Sequence, residues 1–398
     1  MLWLTSALCF STATSLFTFT DKLKSILTAL FFLSAPLMAA DKASLTSEQS
    51  AKLIEAKIRK VTKKPEGELT KADWDKVSAL DVSYQQLTGI QGLENLTRLK
   101  SLLLHNNQLT EVQGLGKLTQ LTVLSLDSNR LTSLRELESL TQLKVLRIGE
   151  NQMADMKGLE KFTQLTILNI GENQLTGIPR ELGQLTQLNG LNVGGNKLTE
   201  VKALAHFTQL TNLHAGGNQI TDINGLGNLT RLTHLWLDNN QITDVHALGS
   251  LMQLTHLWLD GNRLARVRGL DNLKKLTQLH LNNNQLTSAR GMEKISQLRH
   301  LSLDGNKLAD VKGLETLARL THLWLDGNQI TDIKGLEKLA QLAQLNLDRN
   351  QLTNVSPLRA LRKLRELNLM DNPGLTKVQI AELKNALPQC RIFSNAAK

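Results

Sequence analysis

Cysteine is almost missing from this chain: Cys9 and Cys390 are the only two in 398 residues. No disulfide framework is therefore open to it, and a buried small apolar residue or a reactive thiol are the two readings of Cys390. Aromatic residues are also scarce, at 4% against 41% hydrophobic. The core must then be built of Leu, Ile and Val, which suits thin stacked layers better than one bulky centre. No apolar run reaches the length that spans a membrane. The longest candidate, Ile26 to Leu33, follows Lys22 and Lys24 and precedes Ala39 and Ala40. That is the form of an export signal over residues 1–40, with translation starting near Leu23, and an uncleaved anchor is the other reading. Its removal takes Lys22, Lys24 and Asp21 and lowers the formal charge from +10 only to +9. Catalytic motifs are missing too: there is no GxSxG, no HExxH and no P-loop, and the GLGK at 114–117 lacks its upstream Gly. No enzyme activity, cofactor or metal is expected.

What the chain has in abundance is repetition. Asn107, Asn129, Asn151, Asn173, Asn196, Asn218, Asn240, Asn262, Asn284, Asn306, Asn328, Asn350 and Asn372 follow at intervals of 22, with one interval of 23 after Asn173. Each sits in or near the frame LxxLxLxxNxL, as in Leu254, Leu257, Leu259, Asn262 and Leu264. A further copy at residues 77–87 has Gln85 in place of the Asn. Alternating apolar residues in LxL make a short strand with one face inward. A unit of this length cannot bury that face alone, so units must stack. The Asn amide both donates and accepts where the chain leaves the strand, which predicts a structural role.

This pattern resembles the leucine-rich repeat family, in the 22-residue class of the phosphatase regulator SDS-twenty-two and the bacterial internalins, over residues 77–375. The resemblance implies an α/β right-handed solenoid, a horseshoe of about 14 repeats. It places a parallel β-sheet on the concave face, short 3₁₀ turns on the convex face and helical caps at both ends. Residues 41–76 are expected to form the N-terminal cap. Its helix is opened by Thr46 with Gln49 and presents Leu53, Ile54, Ile58 and Val61, and Trp74 joins its core. Residues 376–398 are expected to form the C-terminal cap and tail, a helix stopped by Pro388 and followed by a last strand. The 23-residue copy, with GIPREL around Pro179, is expected to bulge.

With Leu and Asn assigned inward, the alternate strand residues must line the hollow. The phrase THLWLD stands at 233–238, 255–260 and 321–326. It predicts Trp236, Trp258 and Trp324 on that surface, with His214 and His280 in the same slot. His234, His256, His300 and His322 lie one pleat earlier, and Asp238, Asp260, Asp304, Asp326 and Asp348 one pleat later. Trp236 should stack on Trp258. Exposed tryptophans flanked by hydrogen-bonding groups are the composition of binding hot spots, and duplication of an ornamental phrase is the competing account. The Asp row has a second reading as a cap for the following turn. The pairs His234 with His256 and His300 with His322 have a spacing that any residue on stacked strands shares, so no metal is expected. If the partner is cationic, binding should weaken below about pH 6.5 as the imidazoles charge.

The expected function is a non-catalytic scaffold that binds a protein or peptide on the concave sheet. The alternatives are a module for glycans or cell-wall fragments and a regulator that blocks an enzyme. Nucleic acid is not expected, because Lys and Arg fall mostly on the return segments, such as Lys274, Lys275, Lys334 and Lys338, and not on the grasping face. An exported location, in periplasm, at the cell surface or secreted, follows from the signal, and no stable membrane insertion is expected once it is removed.

Overall fold

The structure, a computed structural model, describes residues 44–396. The expected export signal lies outside the described residues. One sheet of fifteen parallel strands runs in strict chain order, each strand paired only with its neighbours in sequence. The strands are three residues long, from β1 (Ala79–Asp81) to β14 (Glu366–Asn368) and β15 (Arg391–Phe393). A period of 22 fixes their register: Leu235 lies beside Leu257, and Leu257 beside Leu279. The single longer copy keeps it as well, with Leu168 beside Leu191, because the extra residue is absorbed in the return around Pro179, where a five-residue 3₁₀ helix, Arg180–Gln184, forms.

The middle residue of each strand from β1 to β14 is buried, and Ile392 of β15, at the end of the sheet, is half-buried. In one coil Leu254, Leu257, Leu259, Leu264, Val267, Leu270 and Leu273 are fully enclosed, and coil after coil repeats this layer. A fully buried Leu or Val contributes on the order of 2 kcal/mol, and the layer forms only when neighbouring coils cover it. The parallel sheet lines the concave face and the returns cross the convex one. Most returns carry a 3₁₀ helix, such as Leu115–Lys117 and Leu336–Lys338. Three of them, between β9 (His256–Trp258) and β12 (His322–Trp324), depart from the expected pattern and hold single 3₁₀-type turns. Leu273 N donates to Leu270 O and Ile295 N to Met292 O, without a second consecutive bond to extend the turn.

The recurring asparagines are structural. Asn262 Nδ2 donates to Leu237 O at 2.9 Å and Leu259 O at 3.0 Å, while its Oδ1 accepts from Ile242 N at 3.0 Å. The side chain thus closes the corner of its own coil and ties it to the coil before. Each corner also needs a left-handed residue just ahead of the Asn, a site such as Asn239, Asn283 or Gly261. At Gly261 a Cβ would come within 2.6 Å of Asn239 Oδ1, so a side chain here would have to displace that amide as well as adopt the left-handed backbone.

Helices close the two open ends. Helix α1 (Ser47–Thr62) begins with a reciprocal cap, in which Gln49 N donates to Thr46 Oγ1 and Thr46 N donates to Gln49 Oε1. Ile54 and Ile58 are buried and Leu53 is half-buried against the core. Val61 corrects the expected apolar face: it stands in the last turn of α1, beyond the buried Ile54 and Ile58, and is 48% exposed. A single turn, α2 (Lys71–Trp74), follows, and Trp74 packs half-buried with its indole N–H on Leu69 O. At the far end α3 (Lys377–Ala386) uses the same reciprocal cap, Thr376 with Gln379, before β15 completes the sheet. The thiol of Cys390 is half-buried and pushed up to about 11 by that burial, so it stays protonated at neutral pH.

Candidate functional site

Strands β7 (Asn212–His214), β8 (His234–Trp236), β9 and β10 (Gln278–His280) set His214, Trp236, Trp258 and His280 side by side. Their rings form one stack. Trp236 and Trp258 lie 4.5 Å apart at 7°, Trp258 and His280 5.6 Å apart at 13°, and His214 and Trp236 6.0 Å apart at 35°. One pleat earlier His234 and His256 stack at 4.4 Å, each also beside the Trp of its own strand. The spacing is that of parallel strands, so the sheet itself imposes the stack. Trp236 stacks on Trp258 as expected, and the indoles are half-buried where the sequence reading expects them exposed, because neighbouring rings lie against them.

The stack then stops. Strand β11 (His300–Ser302) puts a buried Ser302 between His280 and Trp324, and a second, smaller group of rings begins beyond it. His300 and His322 stack at 4.5 Å, and His322 lies 5.6 Å from Trp324. The expected aromatic surface is therefore two islands.

The threonine of THLWLD had no role in the sequence reading, and the structure assigns it one. Thr255 Oγ1 donates to Thr233 O at 2.9 Å and lies 2.8 Å from His256 Nδ1. A hydroxyl has one proton, and here the carbonyl takes it, so Nδ1 must carry the hydrogen of the second contact. Thr233 with His234 and Thr321 with His322 repeat the arrangement. Three imidazoles are thereby held as one tautomer, with the distal Nε2 left as an acceptor. Arg299 replaces the Thr ahead of His300, whose buried Nδ1 has no hydrogen-bond partner among the described residues.

The aspartates serve the turns. Asp260 Oδ1 accepts from Asn282 N at 2.6 Å, Asp304 Oδ1 from Asp326 N at 2.7 Å and Asp348 Oδ1 from Met370 N at 2.7 Å, each in the following coil. Asn282 does the same for Asp304 N. Asp238 accepts from the Asn239 side chain, and Asp326 accepts the fork of Arg349. One carboxyl oxygen of Asp304 and of Asp348 is thus engaged in capping, while Asp260 bonds both the backbone and the side chain of Asn282. Burial raises all three carboxyls, Asp260 to about 6 and Asp304 to about 7. Burial also lowers the imidazoles, His256, His280 and His300 to about 4, and it pushes His214, His234 and His322 downward too. The expected titration near pH 6.5 is thereby corrected for His256, His280 and His300, which stay neutral well below that pH, while Asp260 and Asp304 titrate close to it. No group of three metal-ligating side chains occurs among the described residues, and none of their helices is long and apolar enough to cross a membrane.

Comparison with known proteins agrees with the repeat. Three family profiles match: a leucine-rich repeat region over 133–312, leucine-rich repeats in two copies over 296–338, and a leucine-rich repeat over 46–148. No curated protein matches the chain. Among solved structures, an internalin of Listeria monocytogenes, InlF, is similar at 29% identity over 87% of this chain and 95% of that one, with a TM-score of 0.70. A leucine-rich repeat protein of Leptospira interrogans is similar at 25% identity over 81% and 97%, TM-score 0.61. The functional domain of InlJ of Listeria monocytogenes, at 21% identity over 79% and 78%, shares the fold, TM-score 0.63. A leucine-rich repeat fold implies a scaffold for protein–protein interaction. With its profiles running together from residue 46 to 338 and its sheet built coil by coil on the Leu and Asn frame, the chain belongs to the leucine-rich repeat family and is internalin-like.

Proposed function

We propose that this protein is a non-catalytic scaffold that binds a protein or peptide in the hollow of its sheet, at the surface formed by Trp236, Trp258 and Trp324 with their His and Asp neighbours. The observation that carries this reading is the concentration of three indoles and six imidazoles on successive strands of one face, where a core-stabilising role is already filled by the leucines. Preformed curvature supplies contact area without an ordering cost, and packed aromatics among polar groups supply the local affinity. The surface holds rows of like groups, and each threonine hydroxyl beside an imidazole gives its proton to a backbone carbonyl, which favours binding over chemistry. Stacking of sugars, the competing use of tryptophan, finds Trp236 and Trp258 with their faces already taken by other rings. We place the protein outside the cytoplasm, delivered by residues 1–40, with 41–76 and 376–398 as caps on the repeats of 77–375.

The test is capture of partners from extracts of the source cells by the full chain, with the Trp236→Ala, Trp258→Ala pair as the blank and a panel of cell-wall glycans in parallel. Partners that the pair no longer retains support the reading. Undiminished retention by the pair, or retention of glycans alone, overturns it.

A further inference from the structure

The cations of the second half are sorted onto one flank. Just ahead of strands β8 to β14 the chain reads TRLT (230–233), MQLT, KKLT, SQLR, ARLT, AQLA and RKLR (362–365), rich in Lys and Arg and without a single Asp or Glu. The second place of this phrase alternates: Arg231, Lys275, Arg319 and Lys363 stand two coils apart, each preceded by a coil with Gln. Each cation donates back to that glutamine. Arg231 bonds Gln209 Oε1, Lys275 Nζ bonds Gln253 Oε1 at 2.6 Å, Arg319 Nη1 bonds Gln297 Oε1 at 2.5 Å, and Lys363 Nζ bonds Gln341 Oε1 at 2.7 Å.

A neutral amide thus holds each cation in register and leaves its charge whole. All four are exposed, and none forms an ion pair with a described residue. The acids of the neighbouring returns are already engaged, since Glu293, Glu315 and Glu337 accept from Gly291 N, Gly313 N and Gly335 N. The glutamine Nε2 groups donate to nothing among the described residues, so the row alternates a full positive charge with a spare amide donor. The first half has no such row: Gln fills the place from Gln120 to Gln187, and Arg98 ahead of them lies 3.6 Å from Asp75.

A ligand for this strip must carry acceptors in the same period. Parallel strands about 4.8 Å apart set the cations roughly 9.6 Å apart. A polyproline II segment turns once in three residues and about 9.3 Å, and its carbonyls have no partner of their own. Acids at every third residue of such a segment meet the cations in turn, and the carbonyls between them accept from the glutamine amides. Over three intervals the two periods diverge by only about 1 Å, within reach of long side chains. A β-strand fails, because residues three apart lie on opposite sides of it. A nucleic-acid strand carries a phosphate about every 3.4 Å and would leave about two in three unmatched.

We infer that the flank ahead of β8 to β14 is a docking strip for an acidic polyproline II segment of a partner protein, with Asp or Glu at every third residue. The strip stands apart from the rings of the hollow, and neither reading depends on the other.

The probe is a capped peptide of four Glu-Pro-Pro repeats, titrated calorimetrically into the full chain at low salt. Its control has the same composition, with the four glutamates together and the prolines after them. The spaced peptide should bind about fivefold more tightly than the blocked one and weaken as salt is added. Lys275→Gln with Arg319→Gln gives this flank the residue that the first half carries in the same place. It should cost the spaced peptide about fivefold in affinity and leave the thermal melt in place. Equal binding of the two peptides, no binding of either, or undiminished binding by the double variant overturns the strip. Tighter binding of a single-stranded oligonucleotide or of phosphatidylglycerol vesicles than of the spaced peptide, lost in the same variant, gives the flank to that polyanion and overturns it as well.

Discussion

The two halves of the sheet share a core and differ in what they turn toward the hollow. From β1 to β6 (Gly190–Asn192) the rung reads Asp81, Leu103, Ser125, Arg147, Asn169 and Asn192, and the polar groups at its centre bond one another within the protein. Asp127 accepts from Arg147, from Gly149 N at 2.8 Å and from Asn169 Nδ2 at 2.9 Å, while Asn169 accepts in turn from Gly171 N. From β7 onward the rung carries rings, and carboxyl oxygens remain unspent. The same fold therefore presents one face that is satisfied and one that has acceptors to offer. What holds a coil in place and what that coil presents are set by different residues, and the two can be broken separately.

The largest effect should be the same in both halves. Asn129 bonds Leu104 O, Leu126 O and Leu109 N just as Asn262 bonds its own three partners. Either Asn→Ala change strands a buried N–H and a buried carbonyl and should cost about 3 kcal/mol in urea unfolding. A difference of more than about 1 kcal/mol between the two variants would mean that the halves differ in their frame as well as in their face.

The next effects should separate the halves. Arg147→Ala removes the cation from a carboxylate that is nearly enclosed, and should destabilise by about 2 kcal/mol while partner binding is unchanged. The Trp236→Ala, Trp258→Ala pair forfeits ring stacking of only about 1 kcal/mol but should weaken partner binding about a hundredfold. Calorimetric binding and thermal melts on the same samples measure both quantities. A pair that melts like Arg147→Ala and binds like the unaltered chain would make the aromatic stack a structural device.

Much of this comparison can be read before the structure, and the reason is physical. A period of 22 forces equivalent residues onto one line, so the sheet, the Leu layers, the Asn corners and the membership of each row follow from spacing alone. What spacing cannot give is the fate of individual protons and lone pairs. Thr255 looks like a surface threonine until its hydroxyl is seen to give its proton to Thr233 O and so to fix the tautomer of His256. Ser302 is visible as a break in the row, but its burial and the lean of His300 against Trp324 beside it are not. The exposure of Val61 and the single turns between β9 and β12 depend on packing at an edge and on one missing bond, to which an alternation of apolar residues is blind.

The smallest effect concerns pH, and its sign follows from the displaced groups of the second half. A carboxyl ordinarily near 3.8 that sits at about 7, as Asp304 does, keeps a proton in the folded state that the unfolded chain has already lost. Stability then falls as pH rises through 7. His256, His280 and His300, ordinarily near 6.5 and lowered to about 4, lack a proton that the unfolded chain holds, so their contribution is lost as pH falls from 6.5 toward 4. Over that same range Asp260, at about 6, and Asp304 push the other way, and the first half repeats the opposition with Asp127 raised and His105 lowered, both by burial. Between pH 6 and about pH 7.5 the unfolded chain still holds part of its imidazole protons, so both sets act together. Asp304 is flanked there by Asp260 and Asp326, which hold its proton on, and by Arg349, which draws it off. Asp304 by itself should take about 1 kcal/mol from stability between pH 6 and pH 8 while the lowered imidazoles add to it, so Asp304→Asn should gain about 1 kcal/mol more than the unaltered chain across that range in urea unfolding. The substitution keeps the ladder, since Asn282 already holds the equivalent bond to Asp304 N in the coil before. A limb equally steep in the Asn variant would move the titration to another group.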